Sequence, residues 1–464
     1  MQSFIILHSN DIHGRVEGLA RITTLVEKIR TENPDKPVLF IDAGDVEETA
    51  SRLSNLTKGT AMHRLLSLAG CDVVTAGNGG IMRYGYQVLR DYSSAARYPL
   101  VLSNLRMPDG TPLPGAQLTA LLQVGSLHLG VIGITADSID GDSVYETYFG
   151  LRALPSVEVI RELAADLRQK GAGAVILLSH MGLDADRKLA SELQEEIEII
   201  IGAHSHHLLP EGERLGRVLI VQAGNYAEYL GRLDILWDDQ QLVVQHVSVL
   251  PITDAIEPAP RILSETKVIE AEIEHYLDEV VGELSEPLDF ATDRECGVAN
   301  LMADMLREHM AADVAVITAS VAFTGPLPPG SLRRGTLWDV CSSSANPGIV
   351  TMTGAQLKTV IERGLDLNLA KQTPRAFRGL ARGLLHLSGA SIHEGQLLVG
   401  SHPLELEREY RVAGSDWELE SYGGYIDTDW HLRPRYDAPA ILREALEPYL
   451  KKHSPIRVRM GRLG

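Results

Sequence analysis

Seven residues able to hold a metal ion stand where short apolar runs stop. The run Phe4–Leu7 ends in His8-Ser9-Asn10-Asp11-Ile12-His13-Gly14, Val38–Ile41 in Asp42-Ala43-Gly44-Asp45, and Val73–Thr75 in Gly77-Asn78. Val175–Leu178 ends in Ser179-His180, and Ile197–Ile201 in Gly202-Ala203-His204-Ser205-His206. Carboxylate and amide oxygens mixed with imidazole nitrogens suit manganese, iron, zinc or a similar divalent ion, not a thiolate-selected metal. Seven ligands are too many for one ordinary site and fit two ions that share a bridging carboxylate. Such a pair activates water and neutralises the attacking and leaving oxygens of a displacement at phosphorus. Each piece has a plain structural reading as well. Asp11 and Asp45 beside glycines, and Asn78 after Gly77, are ordinary turn residues. His180 taken singly reads as hydrogen-bonded structure, and His204–His206 as a solvated loop. Their coincidence at five run ends in one stretch of chain favours the metal reading.

For these residues to meet, the runs must be strands of one sheet system with their carboxyl ends on one side. That is where ligands bind in α/β folds. The intervening patterns agree: Leu19–Arg30 and Val157–Gln169 have helical periodicity. The second places Val157, Ile160, Leu163, Ala164 and Leu167 on one face. Val131–Ile134, Val218–Gln222 and Leu230–Trp237 read as further strands, so the first 255 residues are an α/β domain. A charged helix over Ser264–Glu283, with Pro258, Pro260 and Pro287 near its ends, marks the boundary. Residues 256–290 are therefore expected to link a domain at 1–255 to a second at 291–464. In the second, Val298–His309 and Gly354–Gly364 read as helices, Val314–Thr318 and Tyr410–Ala413 as strands.

A chain of 464 residues is long enough for two cores, and 44% hydrophobic content is that of a globular protein. Against 43 basic residues stand 62 acidic ones, a net charge of -19. That field repels nucleic-acid polymers and anionic membrane surfaces. It leaves room for a small phosphorylated substrate, because bound cations reverse the potential locally. No run is long enough to span a bilayer, and the N-terminus shows no secretory leader. The scattered Cys71, Cys296 and Cys341 suit a reducing compartment. A cytoplasmic location is the expectation.

Asp11-x-His13, Gly44-Asp45, Gly77-Asn78, His180 and Gly202-x-His204-x-His206 resemble the blocks of calcineurin-like metallophosphoesterases. More closely, Leu7-His8-Ser9-Asn10-Asp11-Ile12-His13-Gly14 and Gln222-Ala223-Gly224-Asn225-Tyr226 are similar to the bacterial 5'-nucleotidase, UDP-sugar hydrolase and 2',3'-cyclic phosphodiesterase family. Ala299-Asn300-Leu301-Met302-Ala303-Asp304 resembles that family's C-terminal domain. The resemblance implies a four-layer αββα metallophosphoesterase sandwich followed by an α/β nucleotidase-type domain. It also implies a manganese-type dinuclear hydrolase of nucleotide catabolism. By it, Asp11, His13 and His206 would hold one ion and Asn78, His180 and His204 the other, with Asp45 bridging.

Two departures qualify the activity. The family's block is Gly-Asn-His-Glu or Gly-Asn-His-Asp, whose histidine serves the leaving oxygen; here Gly79 holds that position and Met82 stands near that of the acidic residue which orients it. Loss of a positioned acid costs about 100- to 10,000-fold in rate, and no catalytic side chain is assigned in its place. His63 and His207 are substitutes by residue type only. In the second domain, Thr318–Phe323 stands where relatives carry Asn-Gly-Gly-Gly-Ile-Arg. Tyr425 after Gly423-Gly424 has the face to stack on a base, and Arg378 the charge to meet a phosphate, beside plainer readings as a core tyrosine and a solvated arginine. The readings are thus a metal-dependent phosphoesterase acting on a nucleotide or related small ester, or a metal-binding, catalytically weak sensor or interaction protein.

Overall fold

A computed structural model describes residues 1–139, 142–238, 240–341, 343, 345–372 and 381–464. The chain divides into two compact units, Met1–Ile273 and Glu274–Gly464.

The first unit is built on two six-stranded sheets. From edge to edge, one runs Leu242–Pro251, Tyr229–Trp237, Gln2–Ser9, Val38–Asp42, Val73–Thr75 and Leu100–Val101. The other runs Glu213–Leu215, Val218–Val221, Ile199–Gly202, Ala174–His180, Leu127–Thr135 and Thr119–Val124. The strands that end in candidate ligands lie side by side and parallel, Gln2–Ser9 with Val38–Asp42 and Val73–Thr75 in one sheet, Ala174–His180 with Ile199–Gly202 in the other. Successive side chains of a strand point to opposite faces, and here both faces are buried. Ile176 and Leu178 join Phe4, Ile6, Ile41 and Val73 in the core between the sheets. Val175 and Leu177 instead pack on Ile160, Leu163 and Leu167 of the helix Ser156–Gln169. Such strands read as unbroken apolar runs, which is why they stood out in the sequence. The helix Val16–Glu32 buries Leu19, Ala20, Ile22, Thr23, Val26 and Ile29.

The charged helix is shorter than expected. It spans Pro260–Leu277, and Val280–Leu284 is a strand paired with Gly330–Arg333. Acidic residues recur from Glu270 to Glu286, which hides the point where β-branched Val280 and Val281 favour extended chain. The four other elements expected in the second unit lie within two residues of their expected bounds, and the unit has further strands and helices beside them. Val314–Thr318 and Glu409–Ser415 are central strands of a five-stranded sheet. The helix Gly297–His309 packs Val298, Leu301, Met302 and Met305 on one face, against Ala315 and Ile317. The helix Gly354–Gly364 packs Leu357, Val360 and Ile361 on the other, with Val314 and Val316.

A buried carboxyl ties two of these strands. Glu418 Oε1 accepts from the Thr318 amide at 3.1 Å and its hydroxyl at 2.9 Å, and Oε2 accepts from the Ser415 amide at 3.2 Å and its hydroxyl. Burial outweighs these bonds and pushes the Glu418 carboxyl up from 4.5 to about 7. An acid raised in the folded state contributes stability that is present below its unfolded pKa and lost as pH rises through the folded value. Glu418→Gln removes that dependence. Between about pH 4.5 and 7, wild type should lose up to about 3 kcal/mol relative to the variant. Urea unfolding of both proteins across that range is the measurement, and parallel pH profiles would refute the assignment.

Candidate metal centre

The seven residues read from the sequence come from both sheets of the first unit. Asp11 and His13 follow Gln2–Ser9, Asp45 follows Val38–Asp42, and Asn78 follows Val73–Thr75. His180 closes Ala174–His180, and His204 and His206 follow Ile199–Gly202. Backbone bonds lace these loops together. The Asp11 amide donates to Gly44 O at 2.9 Å, and the His13 amide to Asp45 O at 3.0 Å. The His204 amide crosses from the second sheet to Asp11 Oδ2 at 3.0 Å.

Two overlapping groups result, Asp11 with His13 and His206, and Asp11 with Asp45 and His180. Asp11 Oδ1 lies 3.4 Å from His206 Nε2, 3.7 Å from His13 Nε2 and 3.9 Å from His180 Nε2. Asp45 Oδ2 is 3.3 Å from His180 Nε2. His204 lies against the same cluster, its ring centroid 5.2 Å from that of His180. The structure therefore gives Asp11 a place in both groups, where the resemblance implied sharing by Asp45 alone.

Three observations fit this cluster to divalent ions. His180 Nε2 and Asn78 Oδ1 are buried polar atoms without a hydrogen-bond partner, and such orphans are expensive unless something meets them. His13 Nε2 and His206 Nε2 face each other at 3.1 Å, close enough for one proton or one cation to join them. Finally, Asp11, His13, Asp45, His204 and His206 all have left-handed φ, between 47° and 70°. That region is uncommon for residues other than glycine and costs about 1–3 kcal/mol each, so strain concentrates where the ligands are aimed.

Neighbours set which nitrogen each imidazole offers. His180 Nδ1 donates to Ala43 O at 2.9 Å, leaving Nε2 for the cluster. Asn225 Nδ2 donates to His206 Nδ1 at 3.0 Å, which holds that ring with Nε2 toward Asp11 and His13. Burial alone would raise the Asp45 carboxyl, but the adjacent His180 charge drives it down. Burial alone would lower the His180 imidazole, but Asp45 and then Asp11 drive it up. The two carboxylates thus favour positive charge at this point. His206 is raised, first by its hydrogen bond to Asp11, and His204 is lowered by burial.

The loop around the missing histidine is closely packed. The Gly79 amide donates to Asp45 Oδ1 at 2.9 Å, and Asn78 Nδ2 reaches Met82 Sδ at 3.5 Å. A Cβ on Gly80 would fall 2.0 Å from Glu47 Oε1, so the Glu47 carboxylate fills the space of a side chain there. His63 serves that carboxylate: its Nε2 lies 3.3 Å from Glu47 and its Nδ1 2.9 Å from the Tyr98 hydroxyl, with the ring stacked on Tyr92. His207 is exposed and meets the Ser205 hydroxyl at 2.9 Å. Neither histidine is aimed at the cluster by any of these contacts.

Of the two proposed substrate residues, Arg378 lies outside the described residues. Tyr425 is fully buried, with Arg382 over its ring at 5.5 Å, so its face is not open to a base. Sequence reasoning missed Thr135, the register partner of His180, and Tyr145, both buried with unpartnered hydroxyls. It also missed Glu48, whose Oε2 is 3.7 Å from His13 Nδ1. No periodicity or motif marks them.

Residues 280–428 match the model of the family described as 5'-nucleotidase, C-terminal domain. An uncharacterised metallophosphoesterase of Bacillus subtilis is 24% identical over 89% of this chain and 91% of its own length. Residues 280–428 belong to that C-terminal domain family. An apyrase of Anopheles gambiae is 25% identical over 78% of this chain and 72% of the apyrase. In fold it is similar to the 5'-nucleotidase precursor of Thermus thermophilus, with a TM-score of 0.54, 21% identity and 99% of each chain covered. The NAD nucleotidase of Haemophilus influenzae gives a TM-score of 0.62 at 14% identity, covering 100% of this chain and 99% of that one. The two-domain metallophosphoesterase and nucleotidase-type architecture implied by the sequence therefore holds.

Proposed function

We propose that this chain hydrolyses small phosphate esters or anhydrides, nucleotides among them, with two divalent ions held by Asp11, His13, Asp45, Asn78, His180, His204 and His206. The overlapping groups that share Asp11 carry this reading. Manganese, zinc or iron bound there would supply an activated water and neutralise charge on the phosphoryl oxygens. The chain's own residues orient that chemistry. Ala43 O and Asn225 fix the imidazoles, and the His204 amide and Asn10 Nδ2, at 2.7 Å, hold the Asp11 carboxylate. Asp42, buried behind the loop, accepts from Ser9 Oγ at 2.6 Å and from the Gly44 amide at 2.9 Å. The buried, unpaired Cys71, Cys296 and Cys341 support a reducing, cytoplasmic setting.

A second reading, a metal-binding but catalytically weak sensor, is favoured by one observation, the absence of any side chain at Gly79 and Gly80. A screen of manganese-loaded protein against nucleotides, cyclic nucleotides, sugar nucleotides and aryl phosphates separates the two. Hydrolysis that disappears with chelator and returns with manganese is expected. Failure of the protein to take up metal in millimolar manganese would sink both readings, and full metal loading without turnover would favour the sensor.

A further inference from the structure

We propose that Arg15, laid over the ring of Tyr226 beside the His13–His206 side of the cluster, recognises a second phosphate group of the substrate. The preferred class is then a phosphoanhydride, such as a nucleoside diphosphate or triphosphate, and not a monoester. The inference rests on the phosphoesterase reading for its turnover, but not for its binding chemistry. Arg15 Cζ lies 4.8 Å from the Tyr226 ring centroid. That ring in turn lies 5.4 Å from the His13 ring and 5.9 Å from the His206 ring. Tyr226 is fixed to the ligand loops, since its amide donates to Asp11 O at 2.7 Å and its φ of 54° is left-handed. It remains 38% exposed, so platform and cation both face outward at the rim.

Arg15 is exposed and, among the described residues, has no carboxylate partner. That is notable in a chain of net charge -19, where Arg21 is held by Glu17 and Asp254, Arg30 by Asp72 and Arg64 by Glu265 and Glu272. A guanidinium pre-oriented on an aromatic face keeps its fork of donors for a phosphate and loses little freedom on binding. The empty positions at Gly79 and Gly80 point the same way. In hydrolysis of an anhydride, the water oxygen bonds to the terminal phosphorus and the bond from phosphorus to the bridging oxygen breaks. The bridging oxygen leaves with the electron pair on a phosphate that needs no proton, and the water proton passes to solvent. A cation beside the departing group is then worth more than an acid.

The test is calorimetric binding of methylenediphosphonate and of methylphosphonate to the manganese-loaded full chain, with metal content measured before and after. Wild type should bind the diphosphonate at least about 10-fold more tightly, and Arg15→Gln should cut that preference by about 10-fold or more. Arg15→Lys should restore only part, because an ammonium lacks the planar fork. An unchanged preference in Arg15→Gln, or no preference in wild type, would overturn the proposal. A protein inactive on every ester but with an Arg15-dependent preference would defeat the phosphoesterase reading and leave this one standing. Turnover with no such preference would do the reverse.

Discussion

Asp11→Asn should cost the protein both of the ions proposed for its candidate centre. Its carboxylate is the member common to the two ligand groups, with Oδ1 within 3.9 Å of His13, His180 and His206. Asparagine keeps the shape and one acceptor oxygen, so the His204 amide and Asn10 retain a partner while the negative charge is lost. Residues that only orient a ligand cost about 10- to 100-fold in metal affinity when removed. Loss of a shared ligand should therefore exceed about 100-fold for both ions. Asp45→Asn should weaken the ion beside His180 by a similar factor, and both ions if Asp45 bridges as the resemblance implies. The measurement is elemental analysis of protein purified without chelator, followed by manganese titration of each variant. Two ions retained at wild-type affinity in Asp11→Asn would show that the cluster is not the metal centre.

The strand ends that build this centre were legible because parallel strands buried on both faces spell unbroken apolar runs, and a polar residue that stops such a run is conspicuous. Val175–Leu178 followed by His180 is an instance. The helices were legible by periodicity, as in Ser156–Gln169, whose expected and observed spans differ by one residue at the start. What escaped notice depends on partners remote in sequence. Tyr145 and Thr135 are marked only by burial in the fold, and Glu47 by reaching beneath Gly80. Tyr425 stands after a glycine pair in what reads as an open loop, yet Leu357, Val360 and Ile361 of the helix Gly354–Gly364 belong with it to one buried core. Sequence showed an aromatic of the right kind, and tertiary packing decided which way it faced. The bridging role of Asp45 is what the resemblance implies, and the place of Asp11 in both candidate groups comes from the meeting of two sheets, which no local pattern records.

The rate of hydrolysis should depend steeply on how well the leaving group departs unaided. Glycine at position 79 places no proton donor beside the leaving oxygen, and His63, the buried imidazole in this region, is bound to Glu47 and Tyr98. Aryl phosphates and phosphoanhydrides should therefore outpace alkyl monoesters such as AMP by about 100- to 10,000-fold, the usual worth of a positioned acid. Restoring the donor is harder than inserting a ring. A Cβ at position 79 would lie 3.0 Å from Asp45 Oδ1, so Gly79→His must shift a carboxylate that belongs to the cluster. The neighbouring Gly80 cannot take the acidic partner, because Glu47 already fills its space. Met82 is the open alternative, one helical turn from Asn78 and in contact with it. Gly79→His alone should recover little activity toward AMP, and Gly79→His with Met82→Asp should recover more, provided metal content is unchanged. Measured as kcat/KM for an aryl and an alkyl phosphate, the aryl-to-alkyl ratio should be largest in wild type and fall in the double variant. Wild type hydrolysing AMP as fast as an aryl phosphate, with chemistry limiting, would mean that another group supplies the proton. The buried Tyr145 hydroxyl, without a partner of its own, would then be the first residue to replace by phenylalanine.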